Sequence, residues 1–389
     1  MKLTSKQYLL PYILITSLFF LWGFARAILD VLNQHFRESM HISITESSMI
    51  QVTTYLAYFL TAIPAGMFIS RFGYRKGVVM GLMLYAAGAL LFIPGAAIGT
   101  LPAFLVCLFI IGVGLTFLET SANPYATLLG PAETGTSRLN LSQSFNGLGC
   151  ALAPLLLGNF LFSGGDVTVP YMLMGVVVIA VALIFTRVKL PEVVQDDAAA
   201  AAPATHSTRL GKAVVFGFCA LLAYEVAEIS INSYFVMFLA GEGVATNVEA
   251  AHLLSLALFI FMGGRFLGAW VMKYVAPARV LLACAAGSVA CMCGVLMGGK
   301  MALYALIANF AFEAIMFPTI FSLTLSGLDA QRKKRASSYL MMTPVGGCAF
   351  LLMGLIADHT SLILPFIIPL AGFLTVLAFA IHKTKRLTA

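Results

Sequence analysis

Read for apolar and polar positions alone, the chain runs as apolar blocks of about twenty residues joined by short polar connections. A bilayer core roughly 30 Å thick demands helices of that length. In lipid the backbone must satisfy its own hydrogen bonds, and the blocks are too long for tilted barrel strands, so each predicts a membrane-spanning helix. The pattern predicts twelve spans, near 9–32, 46–69, 77–97, 101–127, 141–163, 169–187, 211–239, 250–272, 279–298, 301–327, 337–357 and 361–382. The first block is too long for the core of a secretory signal, carries Asp30 and is followed by no small-residue cleavage site, so it reads as the first span.

Composition agrees with that reading. The 389 residues are 60% hydrophobic and only 10% charged, whereas soluble domains carry roughly 25% charge. The net charge of +7 is explained by topology rather than by nucleic acid. With the N-terminus in the cytoplasm, nineteen of the twenty-three Lys and Arg fall in cytoplasmic segments, including Arg71, Arg75, Lys76, Arg138 and Arg332 to Arg335. Arg37 and Lys300 fall outside, and Arg26 and Arg265 lie inside spans. Both termini are therefore expected in the cytoplasm. The segment PEVVQDDAAAAAPATHS, Pro191 to Ser207, is small, polar and low in complexity. It reads as a linker over 191–210 between a six-helix half at 1–190 and another at 211–389. The halves show weak internal symmetry: Glu119 is followed five residues later by Pro124, and Glu313 at the same offset by Pro318. Two related six-helix halves around a midplane site are a common transporter design.

A charge at the bilayer centre costs at least roughly 2.5–3.5 kcal/mol on insertion scales, so each intramembrane charge needs a reason. The chain has seven: Arg26 and Asp30 in the first span, Glu119 in the fourth, Glu225 and Glu228 in the seventh, Arg265 in the eighth and Glu313 in the tenth. Arg26 and Asp30 are four apart and share a helix face. They form either a structural ion pair or a proton-binding acid with a cation that senses it or meets an anionic substrate. Asn123-Pro124, beside Glu119, is expected to break its helix and expose backbone groups. Glu225 and Glu228 share a face, and two close carboxylates rarely both ionise. Glu313 is either the second-half counterpart of Glu119 or a buried structural acid. Arg265 is expected to brace a cytoplasmic gate. Trp22 offers a ring for a sugar to stack on, and the glycine runs read as close helix packing.

No Walker A loop, HExxH, GxSxG or Cys/His metal spacing occurs, so no enzyme, metal site or cofactor is expected. The seven Cys sit in apolar blocks and read as buried core thiols. Two other classes compete with a sugar transporter. The first is a drug/proton antiporter, against which the polar residues of the first, fourth and fifth spans argue. The second is a non-transporting nutrient sensor, which the short tails disfavour.

The sequence resembles the fucose–glucose–galactose:proton symporters of the major facilitator superfamily. The motifs are Ser17-Leu-Phe-Phe-Leu-Trp-Gly23 with Asp30, Ile50-Gln51, Tyr58-Phe59 and Ile63-Pro-Ala-Gly66. Next come Leu118-Glu-Thr-Ser-Ala-Asn-Pro124, Arg138-Leu-Asn-Leu141 with Gln143, Phe145-Asn146 and Gly149, then Gly264-Arg-Phe266 and Pro318-Thr-Ile-Phe-Ser-Leu323. The resemblance implies an all-α major facilitator fold of twelve helices in two halves. It further implies proton-coupled import of a sugar through the bacterial inner membrane, by a monomer in the lipid bilayer. It makes Asp30 and Glu119 the proton-coupling acids and Gln143 a sugar contact. Arg26, Asn123, Asn146, Glu228 and Trp22 complete the candidate substrate site. The superfamily's loop signature G-x-x-x-D-R-x-G-R-R/K is here Gly66-x-x-x-Ser70-Arg71-x-Gly73-x-Arg75-Lys76 without its acid. Arg71, Arg75 and Arg265 are thus candidate gate residues. Arg26, Ala27 and Leu29 replace the Asn-rich stretch before the span-one Asp of the L-fucose symporter, and a cation there suggests an acidic sugar such as a sialic acid or uronate.

Overall fold

The computed structural model describes residues 4–131, 135–188, 211–272, 274–326 and 342–388, together with 328, 332, 336, 339 and 340. The expected linker at 191–210 lies outside the described residues. In chain order the helices are α1 (Lys6–Ser39), α2 (Ile44–Phe72), α3 (Tyr74–Leu90), α4 (Phe92–Ile98), α5 (Leu101–Leu128) and α6 (Gly135–Phe162). They continue with α7 (Thr168–Arg187), α8 (Lys212–Gly241), α9 (Asn247–Val271), α10 (Pro277–Leu296), α11 (Gly299–Glu313) and α12 (Met316–Leu325). A 3₁₀ segment at Thr343–Ala349 leads into the helix Phe350–His359, and Leu364–Phe366 into the helix Ile367–Thr388. No strand occurs among the described residues. Eleven of the described stretches are long and apolar enough to cross a membrane, and Thr343–His359, at the expected eleventh span, is shorter.

The chain divides into two compact units. The first comprises Met1–His41 and Met49–Gln195, the second Ile42–Ser48 and Asp196–Ala389. In the first unit α1 packs on α6, and α3 packs on α5 and α7. In the second, α8 packs on Thr343–Ala349, and α10 packs on α11 and Ile367–Thr388. In span numbers the pairs are 1–5, 3–4 and 3–6, then 7–11, 9–10 and 9–12. The internal repeat is therefore expressed as packing. Large side chains such as Ile63, Met67, Val106, Leu173, Leu267 and Tyr304 are exposed, as suits helices whose solvent is hydrocarbon. Two of the thiols expected in the core, Cys219 and Cys293, are likewise exposed, because they lie on outward faces of α8 and α10.

Several basic residues that mark helix ends have a second task. Arg138 is fully buried, and its Nε donates to the Ala126 carbonyl at 3.1 Å, with a further bond to Thr127 O, at the end of α5. Arg75 Nε donates to Phe185 O at 3.1 Å, near the end of α7. Lys383 Nζ donates to Leu323 O at 2.6 Å, near the end of α12. Cations at helix C-termini satisfy carbonyls that have no intrahelical partner and complement the helix dipole. Arg138 is thus a cap rather than a loop charge. Gly73, with φ +87°, makes the turn between α2 and α3.

The helix break expected at Asn123-Pro124 is absent: α5 runs through Pro124 to Leu128. The break falls instead in the tenth span, at Ala314 and Ile315, between α11 and α12. Its proline and the neighbouring Arg265 together account for it. Pro318 has no N–H for the carbonyl four residues back, which is Ala314. Arg265 Nε takes that carbonyl at 3.3 Å. Pro318 itself then lies in the first turn of α12, where a missing N–H costs nothing.

Candidate functional site

In the first unit the expected site residues fall on stripes of four helices. On α1, Trp22, Arg26, Asp30 and Asn33 recur at helical spacing; on α2, Gln51, Tyr55 and Tyr58 do the same. Glu119 and Asn123 share a face of α5, and Gln143 and Asn146 share one of α6.

Close glycine contacts hold two of these stripes together. A Cβ on Gly23 of α1 would overlap the Asn146 carbonyl oxygen, and a Cβ on Gly149 of α6 would overlap the Phe20 carbonyl oxygen. The helices therefore interlock in both directions, as small residues permit in membranes. Asn146 Nδ2 donates to Phe19 O at 3.2 Å, across the same seam.

Asp30 is buried and accepts from Gln51 Nε2 at 3.3 Å. Arg26 Nε donates to the Tyr55 hydroxyl at 3.2 Å, and Glu119 lies within electrostatic reach of the same guanidinium. Tyr58 lies within electrostatic reach of both Glu119 and Arg26. Gln143 Nε2 donates to Asn123 Oδ1 at 3.2 Å. Arg26, Glu119, Asn123, Gln143 and Asn146 are only partly buried. Polar groups left accessible at membrane depth face a bundle interior or a wet cavity, because lipid would not tolerate them. Trp22 is 5% exposed and packs on Phe19 with ring centroids 5.4 Å apart, so it forms a wall behind the stripe.

One residue escaped the sequence reading. Asn33 is fully buried one turn beyond Asp30, and neither amide atom has a protein partner. Its position three residues after an intramembrane acid was the available signal. Gln51 was visible only as part of a motif.

The remaining candidates lie elsewhere. Glu228 belongs to the second unit and accepts from Asn232 Nδ2 at 3.1 Å. Arg265 reaches the break in the tenth span and lies over the Phe261 ring at 4.5 Å. Arg71 lies over Phe72 at 5.3 Å, and Arg75 caps α7 as described. No group of three or more His, Cys, Asp or Glu among the described residues is arranged to hold a metal ion.

The family model described as Major Facilitator Superfamily matches residues 15–350. A glucose/galactose transporter of Brucella abortus biovar 1 (strain 9-941) is 33% identical, over 98% of this chain and 96% of its own length. An L-fucose-proton symporter of Escherichia coli (strain K12) is 34% identical, over 97% and 92%. A crystal structure of the E. coli fucose:proton symporter matches with a TM-score of 0.72 at 32% identity, covering 97% of this chain and 99% of that one. These relatives are named as transporters, and the protein is a multi-pass membrane transporter rather than an enzyme. By a family match over most of its length, and by relatives a third identical from end to end, the chain belongs to the major facilitator superfamily and, within it, to the fucose–glucose–galactose:proton symporters.

Proposed function

We propose that the protein is a proton-coupled symporter that imports a sugar across a bacterial inner membrane by alternating access, and that its substrate is a neutral hexose or deoxyhexose. The observation that carries this reading is the pair of membrane-depth carboxylates, Asp30 and Glu119, in one unit with Arg26 and a rim of neutral amides. The amides of Asn33, Asn123, Gln143 and Asn146 offer donors and acceptors suited to sugar hydroxyls. Protonation of one of Asp30 and Glu119 leaves the other to balance Arg26, so that the stripe can close around sugar without a net desolvated charge.

The names of the relatives support a neutral sugar, since they specify glucose, galactose and L-fucose. Arg26 supports it too: its guanidinium is engaged by Tyr55 and faces Glu119, so its charge calls for no carboxylate on the substrate. The acidic-sugar reading has neither support. The protein works as a monomer with both termini in the cytoplasm. The charge asymmetry of its loops supports that orientation.

The test is transport in proteoliposomes. Counterflow should exchange glucose, galactose or fucose and leave a uronate and a sialic acid untouched. Asp30→Asn and Glu119→Gln should abolish accumulation driven by a proton gradient while sparing counterflow. An Asp30→Asn protein that still concentrates sugar would remove Asp30 from coupling. Exchange of an acidic sugar, lost in Arg26→Ala, would overturn the neutral-substrate reading.

A further inference from the structure

The second unit holds a buried polar cluster that the symport mechanism above does not use. Glu313, at the end of α11, is fully buried. Its Oε2 accepts from Asn309 Nδ2 at 2.6 Å, and its Oε1 has no hydrogen-bond partner. Asn309 is also fully buried, and its Oδ1 is without a partner. Two acceptor oxygens are thus sealed away from water beside a single donor. An ionised carboxylate held in that way is strongly disfavoured in a membrane interior, whereas one added proton supplies the missing donor.

The helical hydrogen bonding beside this acid is interrupted. Ala314 and Ile315 keep right-handed dihedrals but fall between α11 and α12, and Arg265 of α9 holds the freed Ala314 carbonyl. Two glycines bring α9 to this place: a Cβ on Gly264 would stand 2.9 Å from the Ala314 Cβ, and one on Gly268 would overlap Ile315. The charged and titratable groups that face Glu313 are Glu228 and Arg265, while Tyr224 and Cys291 lie within its electrostatic reach. Tyr224 also faces Glu225.

We propose that Glu313 is a second proton-binding site, carried in the second unit, with Arg265 as its positioning residue. The inference rests on the proton-symport reading and adds a proton to it. Uptake converts the carboxylate and a hydronium ion into the carboxylic acid and water; release reverses this. With Glu313 neutral, Arg265 is free to hold the Ala314 carbonyl, as observed. With Glu313 ionised, the guanidinium has a stronger acceptor one residue away and transfers to it. The break then loses its donor. The proton and the conformation of the tenth span are coupled through one side chain.

The experiment measures protons per sugar. In proteoliposomes under a proton gradient of fixed size, steady-state accumulation scales as the gradient raised to that number. Under a tenfold gradient, Glu313→Gln should therefore accumulate about tenfold less sugar than wild type, with counterflow retained and Glu313→Asp close to wild type. Equal accumulation by Glu313→Gln and wild type overturns the inference alone. A wild-type protein that does not respond to the gradient overturns both it and the symport reading. Should the amide variant fail to assemble, infrared pH-difference spectra of wild type and Glu313→Asp decide. A protonated-carboxyl band that falls with rising pH and is displaced by the substitution supports the site; a band that the substitution leaves in place overturns it.

Discussion

The interlock of α1 and α6 can be tested by adding a single methyl group to either side. In Gly23→Ala the new carbon would overlap the Asn146 carbonyl oxygen and lie 2.8 Å from Asn146 Nδ2 and 2.9 Å from its carbonyl carbon. Two of these are backbone atoms, which cannot rotate away. Overpacking of this kind costs roughly 1–3 kcal/mol. Loss of the bond from Asn146 Nδ2 to Phe19 O adds about 1 kcal/mol. In Gly149→Ala the methyl overlaps Phe20 O and lies 2.8 Å from the Phe24 nitrogen, for a similar roughly 1–3 kcal/mol. One displacement of α6 away from α1 relieves both clashes, so the double variant should cost less than the sum, by about 1 kcal/mol or more. Thermal unfolding in detergent measures this, at about 2–4 °C per kcal/mol for a unit of this size. Gln143 and Asn146 move with α6, so the half-saturating sugar concentration in counterflow should rise about tenfold per 1.4 kcal/mol of lost contact. Single variants within about 0.5 kcal/mol of wild type, or strictly additive effects, would refute the interlock.

Gln51→Leu removes the amide that donates to Asp30; counterflow should persist while gradient-driven accumulation falls, and unchanged accumulation would leave Gln51 a packing residue. Asn33→Leu replaces an amide that no protein group partners, so stability should hold or improve by about 1 kcal/mol while counterflow affinity drops at least about fivefold. Unchanged affinity would assign that amide to buried water alone. Arg75→Ala should cost about 1 kcal/mol of stability through the lost α7 cap after allowance for its exposure, read as a lower melting temperature, with transport rate unchanged. A rate change without a melting change would make it a gate residue. Thr246→Ala breaks the capping box that Thr246 forms with Glu249 at the start of α9, and should cost about 1 kcal/mol in thermal unfolding with no effect on transport.

The spans were legible because hydrocarbon imposes one demand on every residue of a helix, and a block of twenty apolar positions satisfies it in only one way. The stripe of Arg26, Asp30 and Glu119 was legible for the converse reason: a charge in such a block has no solvent and must have a purpose. Single neutral amides raise no such flag. Asn33 offered only its place three residues after Asp30, and its unpaired burial is what distinguishes it. The caps were equally hidden. Arg75 and Arg138 count as cytoplasmic charges in the sequence, and their carbonyl partners become visible only once α7 and α5 are seen to end beside them. Among the described residues the eleventh span runs as 3₁₀ helix over Thr343–Ala349 before Phe350–His359, where Pro344, Gly346 and Gly347 weaken the α-helix that composition alone suggests.

The two acid–proline pairs show why the halves of a repeat need not act alike. Glu119 and Glu313 each precede a proline by five residues, so each leaves one carbonyl without its helical partner, at Thr120 and at Ala314. Proline alone does not decide the outcome, since α5 absorbs Pro124 and the tenth span does not absorb Pro318. What differs is the neighbour. Gly264 and Gly268 let α9 approach the tenth span closely enough for Arg265 to hold the Ala314 carbonyl. An external donor of that strength makes the broken conformation a stable one. The same approach buries Glu313 completely, whereas Glu119, on an unbroken helix, stays partly accessible beside Arg26. One sequence pattern thus yields an accessible acid in the first unit and a sealed one in the second. An acid that exchanges with water can respond directly to the outside medium. A sealed acid can respond only when its helix moves, which ties its proton to the conformational step.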